Sequence, residues 1–252
     1  MTYREYPAPA RLAGLVECGW VSVLGGTEPA RVQNVVPDSC MDLVWSAGEL
    51  LVAGPDTTAH PVVVAPGSVT AGLRFTPGAL PSLLGVPAAE LRDRRVALAE
   101  LHPRTARAGV QRLAGAPAGT GPRELDLLAE IALGLPAGGA RPPREVVARI
   151  AGGSGVAATA DALGCTTRTL HRRCLEHFGY GPAVLRRVLR FRRAVALLYA
   201  GAAPAAVAVD AGYADQPHLS REFRALADIA PGQLVSAANR STPVPSGSST
   251  VA

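Results

Sequence analysis

The sequence predicts an α+β chain. A β-rich N-terminal half of the small barrel or sandwich kind, closed by helices, precedes an all-helical half with two helix-turn-helix units joined by a long helix. Three observations carry the prediction. Residues 14–75 contain short apolar and β-branched runs divided by Gly, Pro, Asp and Ser. Residues 204–226 (PAAVAVDAGYADQPHLSREFRAL) have the shape of a helix, a turn at glycine and a second helix with one apolar face, and residues 156–178 (VAATADALGCTTRTLHRRCLEHF) are a weaker copy. The charge is also divided. From Met1 to Pro143 there are 12 Arg against 13 acids (−1), and from Arg144 to Ala252 there are 13 Arg against 7 acids (+6), together the +5 of the chain. A neutral half joined to a basic half points to a polyanion partner for the second half only.

At 252 residues the chain suits one large domain or two ordinary ones. In chain order the strand candidates are Val21–Leu24, Val32–Val36, Asp42–Trp45, Leu50–Ala53, Pro61–Ala65 and Val69–Phe75. Leu80, Leu83 and Leu84 then take helical spacing, and Leu91, Val96, Leu98 and Leu101 continue a helical or mixed layer. Further helices are expected at about 104–114 and 123–135. Pro136–Pro143 (PAGGARPP) reads as a linker, because Gly and Pro prevent a helix from crossing it. The expected units are therefore 1–135, a linker at 136–143, a helical domain over 144–240, and a Ser/Thr/Pro-rich disordered tail over 241–252.

In the first helix-turn-helix unit Ala157, Ala160 and Leu163 can line one face of a short helix, and Gly164 can take positive φ to close the turn. Thr166 or Thr167 is placed to cap the next helix, whose Leu170, Cys174 and Phe178 recur every four residues and face a core. Arg168, His171 and Arg172 then point outward near that helix's N-terminus, where a recognition helix meets base edges and phosphates. In the second unit Val207, Ala208 and Ala211 line the first helix, Gly212 turns the chain, and Asp215 caps a helix with Pro217 in its first turn. Leu219 and Phe223 face the core, while Gln216, His218 and Arg221 project. Gln can pair with adenine edges and Arg with guanine O6 and N7. Between the units, Pro182–Ala200 reads as one helix with Leu185, Val188, Leu189, Ala196 and Leu197 as its buried stripe. Arg186, Arg187, Arg190, Arg192 and Arg193 give it charge, as phosphate contacts or as a solvated face. A helix of that length spans roughly 28 Å, near the roughly 34 Å between successive major grooves on one face of DNA.

GYADQPHLSREFRALADIAP resembles the signature of the AraC/XylS family of bacterial transcription regulators, and ALGCTTRTLHRRCLEHFG resembles the first half of the same domain. The resemblance covers about residues 144–238 and implies a double-stranded DNA partner, with RNA polymerase as a further partner. It places the DNA-facing residues at Arg168, His171, Arg172, Gln216, Pro217, His218 and Arg221. Two departures stand out: Cys174 occupies a position where the family usually has a larger apolar residue, and Pro217 supplies no side-chain donor. Residues 3–101, with VVPDSCMDLVW, VAGPDT and AGLRFTPGALPSLLGVPAAEL, resemble an N-terminal sensing or dimerisation module of poorly characterised members, which implies a β-barrel-like (cupin-like) domain. A small-molecule effector and a homodimer are the corresponding expectations.

A ligand cavity in that domain needs apolar walls and a few placed polar groups. Trp20, Trp45 and Arg74, with Asp38 and Asp42, are the candidates, though the tryptophans are also natural core residues and Arg74 could pair structurally with an acid. An enzyme is not expected. Only His60 and His102 precede the linker, no His-x-His pair, phosphate loop or nucleophile elbow occurs, and a Cys nucleophile could draw only on Cys18 or Cys40 with His60. No cofactor is expected. Cys165, Cys174 and His177 lack a fourth metal ligand, and the four cysteines form no CxxC pair. Met1–Pro9 is too polar for a signal peptide and no apolar run reaches membrane-span length, so a cytoplasmic protein with reduced thiols is expected.

Overall fold

The computed structural model describes residues 1–115, 121–139 and 142–234. The segments 235–240 and 241–252, read above as the end of the helical domain and the tail, lie outside the described residues, as do 140–141 within the linker.

The N-terminal half contains β1 (Thr2–Pro7), β2 (Val16–Val23), β3 (Arg31–Val35), β4 (Met41–Ser46), β5 (Glu49–Ala53), β6 (His60–Val64) and β7 (Val69–Phe75). After two short helices, α1 (Ala79–Leu84) and α2 (Ala88–Leu91), it adds β8 (Arg95–Ala97), α3 (Leu98–Leu101), α4 (Pro103–Ala114) and α5 (Pro122–Leu133). Six strands form one antiparallel sheet in the order β1-β2-β7-β4-β5-β8, and β3 and β6 pair as a second, two-stranded sheet. Alternation along the strands divides the six-stranded sheet into two unlike faces. Val21, Met41, Leu43, Ala71, Leu73 and Phe75 face a core closed by Leu125, Leu128 and Ile131 of α5 and by α1, α2 and α4. The i, i+3, i+6 spacing on α5 is what puts those three side chains over the sheet.

Two strands were not foreseen. β1 lies in a segment that looked polar and proline-broken, and Tyr3 is its one buried residue. An edge strand needs few inward apolar groups, and Pro7 sits at the end of this one. β8 has three residues and is defined by pairing with β5, a tertiary contact that no local pattern records.

The helical half consists of α6 (Arg144–Ala151), α7 (Val156–Ala162), α8 (Thr167–Phe178), α9 (Pro182–Tyr199), α10 (Pro204–Asp210) and α11 (Gln216–Ala227). It has two separate cores. Val146, Ile150, Ala160, Leu170, Cys174, Phe178 and the first half of α9 build one, while α10, α11 and the second half of α9 build the other. The linker is tied down where it is described, with Ala137 N–H donating to the Leu83 carbonyl and Gly139 N–H to that of Ser82.

α9 belongs to both cores, and this corrects the expected stripe. Leu185, Val188 and Leu189 face the first core, but Phe191, Ala194, Val195 and Leu198 face the second, and Ala196 and Leu197 are only half-buried. At 100° per residue the buried side rotates by roughly a third of a turn along the helix, because the two subdomains lie against different sides of it.

Candidate nucleic-acid interface

Both helix-turn-helix units close as the local chemistry requires. The turns place Gly164 at φ 59° and Gly212 at φ 79°, the left-handed region where a Cβ is disfavoured. Thr166 caps α8, its Oγ1 accepting from the Thr169 N–H at 3.2 Å, and Asp215 caps α11, its carboxylate accepting from the His218 N–H at 2.6 Å. Pro217 occupies the first turn of α11. On α7 the inward positions are Thr159 and Ala160 with Val156 and Leu163 at the rim, and Ala157 points out. Thr159 is admitted to that core because its hydroxyl donates to the Gly155 carbonyl at 2.8 Å.

The residues expected to face DNA divide into free and engaged groups. Arg168 and Arg172 on α8 and Gln216, Pro217 and Arg221 on α11 are exposed, on the sides opposite Leu170/Cys174 and Leu219/Phe223. His171 is exposed at the surface, with one side of its ring against Gly181 at the start of α9. His218 is half-buried; it packs edge-on against Tyr213 at 5.3 Å and its Nδ1 accepts from the Ala214 N–H at 3.3 Å. A groove of about 570 Å³ beside the first turn is lined by Gly164, Thr166, Thr169 and Arg173, among others.

The arginines of α9 divide in the same way. Arg187 Nε donates to Glu222 of α11 at 2.8 Å, and Arg190 lies 3.7 Å from the same carboxylate with its guanidinium over the Tyr213 ring at 4.5 Å. Arg192 faces the N-terminal half, where it donates to both oxygens of Glu17 at 2.9 and 2.8 Å. Only Arg186 and Arg193 of the five are exposed.

The candidate pocket residues do not all come together. Register places Trp20 opposite Gly72, and Arg74 between Cys18 and Asp42, on the sheet face turned away from the helices. Trp20 Nε1 donates to Asp42 Oδ2 at 2.9 Å and its ring stacks on Tyr3. Arg74, 4% exposed, has Asp38, Glu5 and Asp42 within 3.3–3.7 Å, yet its Nε and Nη1 make no hydrogen bond. Burial raises the Asp42 carboxyl to about 6, against the pull of Arg74. Trp45 pairs with Ala71 and packs on the opposite, apolar face. Period-two alternation from Asp42 puts Trp45 out of reach, a signal present in the sequence once the strand is assigned. The charged groups that sequence reasoning missed here are Glu5, on the unforeseen β1, and Glu17. Of the cysteine nucleophile candidates, burial pushes Cys18 up to about 12 and Cys40 well above its ordinary value, so neither holds a thiolate near neutrality.

Residues 159–237 match a helix-turn-helix domain family of the AraC type, and residues 4–97 match a domain family of unknown function. No curated protein matches the chain significantly. Among solved structures the chain is similar to ToxT of Vibrio cholerae. The apo form of a lysine-to-alanine variant from strain SCE256 is 11% identical, with 86% of this chain and 97% of that one covered and a TM-score of 0.50; the protein from strain O395 is 9% identical, with 86% and 95% covered and a TM-score of 0.47. At that identity the first likeness speaks to the fold, a β-rich domain followed by a helical one, and among the described residues no helix is long and apolar enough to cross a membrane. With the paired units, the shared helix and the outward arginines in place, the helical half is a helix-turn-helix domain of the AraC type and the chain a DNA-binding transcription regulator.

Proposed function

We propose that α8 and α11 enter successive major grooves of one duplex, with Arg168, Arg172, Gln216 and Arg221 contacting bases or phosphates and His171, Pro217 and His218 shaping the helix starts. The observation that carries this is the pairing of two capped helices, each burying one face in its own core and leaving arginine on the other, on a single α9 of 18 residues. That length is about 27 Å, close to one turn of DNA.

The N-terminal half is read as the sensing domain, with a small-molecule effector meeting the Trp20 and Arg74 face. Buried polar atoms without a hydrogen bond are rare in folded proteins, and Arg74 has two of them, held only by longer ion pairs amid three carboxylates. Pairing of two chains, and RNA polymerase as a protein partner, belong to the same proposal. Val32 and Val63, cross-strand neighbours 68% and 72% exposed on β3 and β6, offer an apolar contact for such pairing. Four free cysteines fit a reducing cytoplasm. Selection of bound duplexes from a random pool, with and without cell-extract metabolites, tests the reading. The expected product is a site with two preferred segments about one turn apart, and recovery of no preferred sequence would mean loose, architectural binding instead.

A further inference from the structure

Residues 36–40, between β3 and β4, are where the two halves of the chain meet through charge. Asp38 is held from both sides. Its carboxylate turns into the N-terminal domain, with Oδ2 3.3 Å from Arg74 Nε and Oδ1 accepting from the Cys40 N–H at 2.8 Å. Its backbone carbonyl turns the other way and accepts from Arg192 Nη1 of α9 at 3.3 Å. The second Arg192 contact, Glu17, sits where the β2 register slips between Val16 and Cys18, and such a bulge re-aims a side chain. Ser39 is buried with φ at 66°, a conformation a non-glycine residue keeps only where its surroundings over-determine it. At the other end of the segment Val36 packs against the second helical core.

The first subdomain is fixed to the N-terminal domain elsewhere. The Gly179 carbonyl accepts from Arg92, its Cα lies against Pro55 and Ala88, and Phe178 and His177 lie against Gly78. The second subdomain meets the N-terminal domain through Val36, and Arg192 holds the half of α9 on which it is built.

We propose that residues 36–40 form a latch: a change of partners at Arg74 is passed through Asp38 to Arg192, and so decides how firmly the second subdomain is held while the first stays docked. This rests on the reading that an effector meets the Arg74 face. The carboxylate that meets Arg74 also holds the Cys40 N–H, so drawing it from or toward Arg74 pulls on the backbone turn at Ser39 and with it on the carbonyl that Arg192 uses. Because α9 is one rod serving both cores, movement at Arg192 reaches α10 and α11.

Amide hydrogen exchange on the full chain, without DNA or effector, tests the latch. In Asp38→Asn the side chain's ion pair and hydrogen bond, to Arg74 and the Cys40 N–H, are the contacts altered, and the carbonyl that Arg192 uses remains. The latch predicts exchange rising about tenfold over residues 194–199 and α11 with α8 unchanged, as expected where the local opening constant rises by one decade. Unchanged exchange in 194–199 and α11 in a folded Asp38→Asn protein overturns it. Should that variant lack a cooperative melt, Arg192→Gln, at a half-buried position, decides from the other side. Faster exchange at residues 36–43 supports the latch, and exchange there equal to wild type overturns it. A negative result leaves the regulator reading standing, and failure of the duplex selection removes that reading without touching this one.

Discussion

The two helix-turn-helix subdomains share a plan but are stabilised differently. In the second, Phe223 packs at a tilt against Phe191 with centroids 4.7 Å apart, and Glu222 ties α11 to α9 through Arg187 and Arg190. In the first, the position one turn beyond the leading leucine is Cys174, a small side chain in a fully buried place. That core extends to Phe178 and Tyr180 at the end of α8, and Phe178 abuts Gly78 of the N-terminal domain. The comparison teaches that a smaller core is supplemented by docking: one subdomain is closed by its own aromatic pair and touches the N-terminal domain through Val36, and the other borrows a wall from that domain.

The largest test of that contrast is a pair of core truncations. Phe223→Ala removes half of the aromatic pair and should cost about 3–5 kcal/mol. Cys174→Ala removes little more than one methylene equivalent and should cost about 1 kcal/mol. Thermal melting with local hydrogen exchange reads both. Equal losses would mean that the cores are interchangeable and the docking irrelevant.

Next in size are the outward arginines. Arg172→Ala and Arg221→Ala should each weaken binding to a selected duplex by about 1–3 kcal/mol and relax preference only in the segment that its own helix reads. Titration against duplexes altered in one segment at a time separates the two. If either variant lost preference across both segments, the one-helix, one-groove assignment would fail. With the first subdomain docked and the second held by α9, Arg221 is also the variant whose effect should vary with effector.

Much of this plan was legible in the sequence because it is local. Leu170/Cys174/Phe178 and Leu219/Phe223 fix the inward faces by helical period, Thr166 and Asp215 mark helix starts, and Gly164 and Gly212 mark turns. What stayed hidden depends on distant partners. Arg187, Arg190 and Arg192 look like one charged stripe with Arg186 and Arg193, and only the fold shows that Glu222 and Glu17 take three of the five. Trp20 and Trp45 looked equivalent until register placed them on opposite faces, and the carboxylates around Arg74 come from two distant segments, Glu5 of β1 and the stretch from Asp38 to Asp42.

Acid should separate the subdomains by a smaller margin. Burial, helped by Arg173 and opposed by Glu176 and the Gly78 backbone, holds His177 below its ordinary 6.5. The unfolded chain therefore takes up a proton that the folded one refuses, so this contribution is complete above pH ~6.5 and is lost as pH falls below it. Burial would raise Glu222, but the Arg187 hydrogen bond and the charges of Arg187 and Arg190 outweigh it and hold the carboxyl below 4.5. Its contribution is present above that value and is lost only as pH falls beneath it. Asp42 has the opposite sign: raised to about 6, it leaves the N-terminal domain more stable in mild acid and less so as pH climbs through that value. Between pH 7 and 5.5, exchange in α8, corrected for intrinsic rate, should quicken while α11 holds. Loosening of α11 first would reverse the assignment.

The smallest effects belong to Arg186 and Arg193, the exposed pair seven residues apart on α9. Neither has a charged partner within the measured ion-pair distances among the described residues, so replacement by Ala should move stability by no more than about 0.5 kcal/mol. Replacing Arg187, which shares Glu222 with Arg190, should cost more, because it strips a half-buried carboxylate of its hydrogen bond. On DNA the order should invert. Free arginines can reach phosphate as the helix lies across the duplex, so Arg186→Ala or Arg193→Ala should weaken binding evenly across sequences and lower the salt slope by about 1 each. Arg187→Ala should leave that slope alone, since its charge already has a carboxylate. A salt titration of the three variants ranks them. If Arg187 carried the slope and Arg186 and Arg193 did not, α9 would present its other side to the phosphates, and the second subdomain would have to release Glu222 on binding.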